Sequence, residues 1–141
     1  TITRGSLSST PWENITTRID TTDNKAIMRF TGPSGDNNYT FHSTSLNINT
    51  WYHLVFIIRG IGTKPIIYVN TISTEGYTTQ IGNIYNVSGT NAGFNIGNGY
   101  NGANINFDGR LDEIAIWNRV LTYDEVIWLY NSGNGRSYSE F

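Results

Sequence analysis

Cysteine is absent from the sequence, which excludes disulfide frameworks, cysteine-ligated zinc sites and thiol nucleophiles. Charge is also scarce: 9 basic and 11 acidic residues leave a formal net charge of -2, and no run of one sign is long enough to bind phosphates or an anionic membrane. No apolar stretch approaches the roughly 20 residues that a helix needs to cross a bilayer. We therefore expect neither a nucleic-acid partner nor insertion into a membrane.

The 141 residues are enough for a single domain over residues 1–141 that buries roughly two-thirds of its unfolded surface. The sequence begins at Thr1 rather than at methionine, and its first residues lack the apolar core of a signal peptide. We interpret it as a processed protein or as part of a longer one.

Several short segments have the composition of β-strands, because they are rich in Ile, Val, Phe, Tyr, Trp and Thr. They are residues 26–30, 38–43, 51–59, 65–70, 93–97 and 110–118. Gly-rich and polar turn clusters separate them, which favours an antiparallel sandwich over a parallel fold that needs a helix between strands. The sequence therefore predicts an all-β domain.

Residues 51–59 carry apolar side chains on both faces of the predicted strand. A strand of this kind is typical of a position with both faces covered, so we expect 51–59 to be the central core strand. We also expect Trp51, Trp117 and Trp128 to lie in the core.

The period of the pattern changes after Arg119. Thr122 and Glu125 have the spacing of a capping box, and Leu121 is placed to pack on Val126 as a hydrophobic staple. Residues 131–133, Asn-Ser-Gly, then end the helix. The predicted helix is too short to persist alone in water, so it must dock on the sandwich.

The stretch DGRLDEIAIWNRVLTYDEVIWLYNSG, residues 108–133, resembles the C-terminal signature of laminin-G-like, concanavalin A-like lectin/glucanase domains. LNINTWYHLVFIIRG (46–60) and PIIYVNTI (65–72) resemble the family's central strand and the hairpin arm that follows it. The resemblance covers roughly residues 25–133. It implies a two-sheet antiparallel jelly-roll sandwich with one concave sheet and one short C-terminal helix.

The sequence departs from the family pattern in two places. Thr71 stands where glycine usually follows the asparagine at 70, so we expect the tight Asn-Gly hairpin turn to be replaced by another turn. The apolar strands with which the family usually opens are missing or replaced, which predicts an open sheet edge that another copy or upstream sequence would fill.

The acidic pair Asp112 and Glu113 does not suit glycosidase chemistry. Adjacent strand residues point to opposite faces, whereas two glycosidase carboxylates flank one bond at roughly 5 to 9.5 Å. The Glu-x-Asp-x-x-Glu arrangement that the resemblance implies for glucanases is also absent. We therefore predict that the protein is not an enzyme, and that the two carboxylates tie the last strand to Arg110, Arg119 or the helix.

A calcium site is the other interpretation of the acidic cluster. Calcium takes about six to eight oxygen ligands, largely from loops, and related domains often hold this ion. Asp108 and Asp112 are the candidate ligands for Ca2+, with Asn104, Asn106 and nearby carbonyls, while Asp23 and Asp36 compete with them.

Nine tyrosines and eighteen asparagines favour surface recognition. Aromatic faces and amide groups suit the alternating apolar faces and hydroxyls of a sugar, although the same composition also fits ordinary turns encoded by an AT-rich genome. The candidate carbohydrate-binding residues are Trp12, Tyr85, Asn86, Asn98, Tyr100 and Asn101.

The sequence and the resemblance together predict a non-catalytic carbohydrate-binding or adhesive module. We expect it in a larger protein that is extracellular or displayed on a cell or virion surface, with a glycan or a surface protein as partner. The alternative is a structural or oligomerisation domain that contacts protein, other domains or a second copy of itself through a sheet edge.

Overall fold

The computed structural model describes residues 2–5, 14–31, 37–60, 63–75, 93–97 and 106–140. Within these ranges the strands are β1 (Ile2–Gly5), β2 (Asn14–Ile19), β3 (Lys25–Thr31), β4 (Asn37–Ser45), β5 (Leu54–Ile57), β6 (Ile66–Val69), β7 (Ile72–Glu75) and β8 (Gly93–Ile96). One α-helix, α1 (Tyr123–Tyr130), follows, with short 3-10 turns at Asn131–Gly133 and Tyr138–Glu140.

The described strands form two sheets in which every pair is antiparallel. The first sheet has the order β4-β3-β2-β1-β8, and the second has the order β5-β6-β7. The prediction of a mostly β protein with antiparallel sheets and one short helix is therefore confirmed. The jelly-roll path of the connections stays a prediction.

The first core lies between the two sheets. Ala26 and Met28 on β3 pack against Ile67 and Val69 on β6, and all four are buried. These side chains alternate along their strands, so one face of each sheet supplies the contact.

A second core covers the opposite face of the three-stranded sheet. Ile57 and Tyr68 from that sheet pack with Leu121, Val126 and Leu129 from the helical region. Ile67 of β6 therefore packs in the first core, and its neighbour Tyr68 packs in the second. The described elements form three successive layers: the five-stranded sheet, the three-stranded sheet and the helix.

The prediction for residues 51–59 is confirmed in part. Both faces of the strand are covered, because its alternate side chains reach the two cores. The central position is wrong, however: β6 is the middle strand of the second sheet, and β5 lies at an edge in the described part.

The tryptophan predictions also need correction. Trp117 packs against the second core as expected. Trp51 is instead 63% exposed and Trp128 is 42% exposed. Trp51 precedes the first residue of β5 by three positions, so it belongs to the connection between the sheets rather than to the strand.

The predicted strand at 110–118 is wrong. This stretch forms no ladder within the described residues, and Glu113 has a positive φ of 47° that interrupts an extended backbone. The carboxylate of Asp112 accepts the backbone N–H of Glu113 at 2.9 Å, a local bond that competes with sheet pairing. Leu111 and Ile116 are consequently exposed.

The helix forms as predicted. Thr122 Oγ1 accepts the backbone N–H of Glu125 at 3.3 Å, and the Glu125 carboxylate accepts the backbone N–H of Thr122 at 2.7 Å. Leu121 and Val126 are buried in the same core, and Asn131 ends α1 in the left-handed conformation.

Arg119 pairs with Glu125 rather than with the acidic pair at 112 and 113. Its guanidinium donates to both carboxylate oxygens of Glu125, at 2.6 and 2.9 Å, and this contact lowers the pKa of Glu125 to about 2. No ion pair of Asp112 or Glu113 occurs in the part of the chain that the structure describes, so the expected tie through these two carboxylates is not formed there.

The hairpin between β6 and β7 keeps a two-residue turn, with Val69 paired to Ile72. Asn70 has a φ of 57°, whereas Thr71 is not among the residues with positive φ. An Asn-Gly turn of type I′ requires positive φ at both central residues, so the expected change of turn at Thr71 is confirmed.

We predict that Asn70→Ala lowers the free energy of unfolding by about 2 kcal/mol, because it strains a left-handed residue and removes a hydrogen-bond acceptor. Asn70 Oδ1 accepts the backbone N–H of His53 at 3.1 Å. Asn49→Ala is the matched control, since Asn49 has nearly the same φ, 55°, on an exposed turn. Urea unfolding should show a smaller decrease in the free energy of unfolding for Asn49→Ala than for Asn70→Ala. Equal decreases would mean that the hydrogen bond of the Asn70 side chain does not contribute to stability.

Candidate functional site

The six residues predicted to bind sugar lie outside the described residues. They are Trp12, Tyr85, Asn86, Asn98, Tyr100 and Asn101. Their role in carbohydrate binding stays a prediction.

Asp108 and Asp112, the candidate calcium ligands, are both exposed. One oxygen of Asp112 already accepts the Glu113 N–H. Within the described ranges no three acidic or histidine side chains lie close enough together to hold a metal ion. The calcium site therefore stays a prediction that needs ligands beyond this pair.

Three of the described connections meet at one end of the sandwich. They are the turn 20–24 between β2 and β3, the crossing segment 46–53 between β4 and β5, and the hairpin turn 70–71. The Leu46 N–H donates to the Asn24 carbonyl at 2.8 Å, which joins the first two connections. Backbone groups of His53 bond Asn70, which joins the third. We call this surface the turn end.

The segment 46–53 displays two large apolar side chains on an anchored backbone. Ile48 is 82% exposed and Trp51 is 63% exposed. On either side of them, Leu46 and Tyr52 pack against the first core. The Tyr52 hydroxyl also accepts the backbone N–H of Asn47 at 3.0 Å. The anchors fix the segment at both ends and leave Trp51 in solvent.

The charges around the turn end are paired locally. Lys25 lies 2.9 Å from Asp23, and Arg18 lies 3.7 Å from Asp20. A hydrogen bond from the Thr22 backbone N–H lowers the pKa of Asp20, so this carboxylate is ionised at neutral pH. Residues 46–52 contain no charged side chain. The segment 46–52 therefore contributes no charge to the surface beside Trp51.

His53 links the turn end to the helix. Its ring lies 6.1 Å, centroid to centroid, from the ring of Tyr130 near the end of α1. Its Nδ1 is buried and has no hydrogen-bond partner among the described residues, and burial lowers the pKa of His53 below its ordinary value of 6.5. The neutral imidazole is thus the form that fits between the sheet and the helix.

We predict that the stability of the protein falls as the pH drops below about 6.5, because the unfolded His53 then binds a proton more readily than the folded one. The stabilisation is complete above the unfolded pKa and is lost as the pH falls toward the lowered folded pKa. Chemical unfolding from about pH 8 to 5 checks this. His53→Phe, which cannot titrate, should flatten this part of the profile, and an unchanged slope would contradict the assignment.

Sequence reasoning missed Trp51 as a surface residue. Its position within an apolar run suggested a core strand, but the strand begins only at Leu54. The available signal was the uncharged, Asn-rich stretch 46–50 directly before it, which is typical of a connection.

No described helix is long and apolar enough to cross a bilayer.

Two packed antiparallel sheets with one short helix place the protein in the class of concanavalin A-like sandwiches. The Laminin_G_3 family model, described as the concanavalin A-like lectin/glucanases superfamily, matches residues 3–127. The chain belongs to this family, and the resemblance in its sequence motifs is confirmed. No curated protein and no solved structure gives a significant match.

Proposed function

We propose that the protein is a non-catalytic carbohydrate-binding or adhesive module of a larger extracellular or virion-surface protein. Domains of the laminin G and concanavalin A-like type often bind carbohydrate or mediate adhesion and are generally non-catalytic, although the superfamily includes glucanases.

The observation that supports this proposal most directly is the turn end. Connections gathered at one end of a rigid sandwich are a common place for recognition sites, because the scaffold fixes their positions. At this end an exposed tryptophan stands among neutral amide and hydroxyl side chains. Exposed aromatic faces beside amides match the mixed apolar and polar surface of a sugar.

A glycan array on the labelled protein tests the proposal. We expect binding to a restricted set of glycans, measured once with calcium and once with a chelator. Binding that vanishes with the chelator would bring Asp108 and Asp112 into the site, whereas binding that persists would separate recognition from calcium. Silence across the array in both conditions would contradict carbohydrate binding.

The exposed stretch 110–116 favours a second candidate function, a structural domain that contacts protein. Its alternating sequence suits a strand, yet it pairs with no strand among the described residues, and Leu111, Ile114 and Ile116 are exposed. Such a segment can accept a strand from another chain. Light scattering should then show an oligomer that Ile116→Pro dissociates, while a monomer at all concentrations would argue against self-association.

A further inference from the structure

We propose that Trp51 is the stacking platform for an uncharged pyranose ring, with the amides of Asn47 and Asn49 placed to bond its hydroxyls. The inference rests on the proposed carbohydrate-binding function and assigns its site and its ligand class. Trp51, Asn47 and Asn49 were not among the residues predicted from sequence to bind sugar.

The first argument is exposure combined with order. An indole that is 63% exposed leaves apolar surface in water, and a ligand that stacks on the ring would remove that surface from water. The backbone around it is held by the Asn47 to Tyr52 hydrogen bond and by the Leu46 to Asn24 bond. Because the segment is fixed before binding, little conformational entropy is lost when a ligand docks.

The second argument is the chemistry of the neighbours. Asn47, Asn49 and Thr50 are exposed on the same short segment, and the Thr50 hydroxyl donates to the Ile48 carbonyl at 3.2 Å, which leaves its oxygen able to accept. No hydrogen bond holds the side-chain amides of Asn47 or Asn49 within the described residues. Each amide offers two donors and one acceptor, which is the set that vicinal hydroxyls require.

The third argument is charge. The ionised groups nearest in sequence to the turn end are paired with each other, Asp23 with Lys25 and Asp20 with Arg18. An anionic sugar would find no cationic side chain on the segment 46–52 to pair with. A lipid surface would find only two large exposed apolar side chains, surrounded by polar amides. An uncharged sugar needs no counter-charge, so it fits this surface best.

The test compares wild type, Trp51→Ala and Trp51→Phe on an array of neutral glucose-, galactose- and mannose-based glycans printed beside sialylated and sulfated ones. We expect wild type to bind neutral glycans. Trp51→Ala should weaken binding at least about tenfold, and Trp51→Phe less, because a smaller ring keeps part of the stacking. Thermal unfolding of each variant shows whether it is folded.

The matched control is Trp128→Ala. Trp128 is also exposed, but its ring is already covered by the Arg136 guanidinium, 4.4 Å from the ring centroid. Its replacement should leave glycan binding unchanged. As a direct readout, the indole N–H signal of Trp51 in a heteronuclear NMR spectrum should shift when the bound neutral glycan is titrated in.

Four results would overturn the inference. Neutral-glycan binding that survives in folded Trp51→Ala would place the site elsewhere while leaving the proposed function standing. Binding restricted to anionic glycans would overturn the ligand class, and a change in self-association without any change in glycan binding would make the turn end a protein contact. A wild-type protein that is silent on every glycan would reject both proposals together.

Discussion

Replacing Ile67 by alanine should lower the free energy of unfolding by about 3 to 4 kcal/mol, because it removes buried methyl and methylene groups and leaves a cavity. Ile67 is fully buried on the middle strand of the second sheet, and it packs with Ala26, Met28 and Val69 between the sheets. Small neighbours such as Ala26 cannot move to fill the space without shifting β3. Equilibrium unfolding in urea, with the slope compared between variants, measures the loss.

The control for this prediction is Ile72→Ala on the neighbouring strand β7. Ile72 is 62% exposed, so the same chemical change creates no cavity there and should cost less than about 1 kcal/mol. Similar losses at positions 67 and 72 would mean that the two sheets are not packed on each other as described.

The helix was fully predictable because its signals are local. The capping box at Thr122 and Glu125, the staple between Leu121 and Val126 and the stop at Asn131 all lie within a few residues of the backbone groups that they satisfy. The tertiary position of the helix was predictable only in outline. The requirement for docking was clear, but the face of the sheet that receives α1 depends on β5 and β6 together.

The sequence correctly indicated that both faces of residues 51–59 are buried, but the expected reason, a central position in the sheet, was wrong. Residues 51–59 are apolar on both faces, which indicates that both faces are covered, but cover comes from the first sheet on one side and from α1 with Leu121 on the other. Being covered on both faces does not make a strand central in its sheet. The hydrogen-bonding neighbours that decide this are far away in sequence.

The segment 110–118 shows the converse error. Alternation of polar and apolar residues fits a strand, but a strand exists only if a partner supplies backbone hydrogen bonds. The local bond between Asp112 and the Glu113 N–H, with Glu113 at positive φ, instead gives an irregular segment. Its sequence resemblance to the family motif was nevertheless a correct guide to family membership.

Strands β1, β2 and β7 were not predicted. β2 reads NITTRI, in which Ile15 and Ile19 flank Thr17 on the face that meets the core, so its apolar period is four rather than two. β1 (ITRG) and β7 (ISTE) each contain a single large apolar residue, so their sequences show no alternation. Pairing with neighbours, rather than composition, makes these segments strands.

The sequence predicted the kinds of side chain in the candidate site but not the position of the site. Aromatic and amide side chains favoured sugar recognition, but the residues chosen came from the loops with the highest Tyr and Asn content. The turn end depends on which connections meet in space, and that follows from the antiparallel order of β2 to β6. The exposure of Trp51 follows in turn from the late start of β5 at Leu54.

The second large effect is expected at Val126. Val126→Ala should lower the free energy of unfolding by about 2 to 3 kcal/mol, because the lost methyl groups leave a cavity and the higher helix propensity of alanine offsets only about half a kcal/mol. Val126 is fully buried between α1 and the three-stranded sheet. Thermal or urea unfolding followed by far-UV circular dichroism gives the change.

Ile127→Ala is the matched control one residue along the same helix. Ile127 is 42% exposed, so its replacement should be neutral or slightly stabilising through helix propensity. A loss at 127 as large as at 126 would place the wrong face of α1 against the sheet.

Combining Val126→Ala with Ile67→Ala then tests the layered arrangement itself. The two side chains belong to different cores on opposite faces of β6 and share no buried partner among the residues that the structure describes. Their losses should add to within about 0.5 kcal/mol if β6 is a rigid layer between independent cores. A larger deviation would show that truncating a side chain in one core shifts β6 and loosens the other core. Because Asn70 and His53 connect the turn end to β6, changes in the helix would then also affect the turn end.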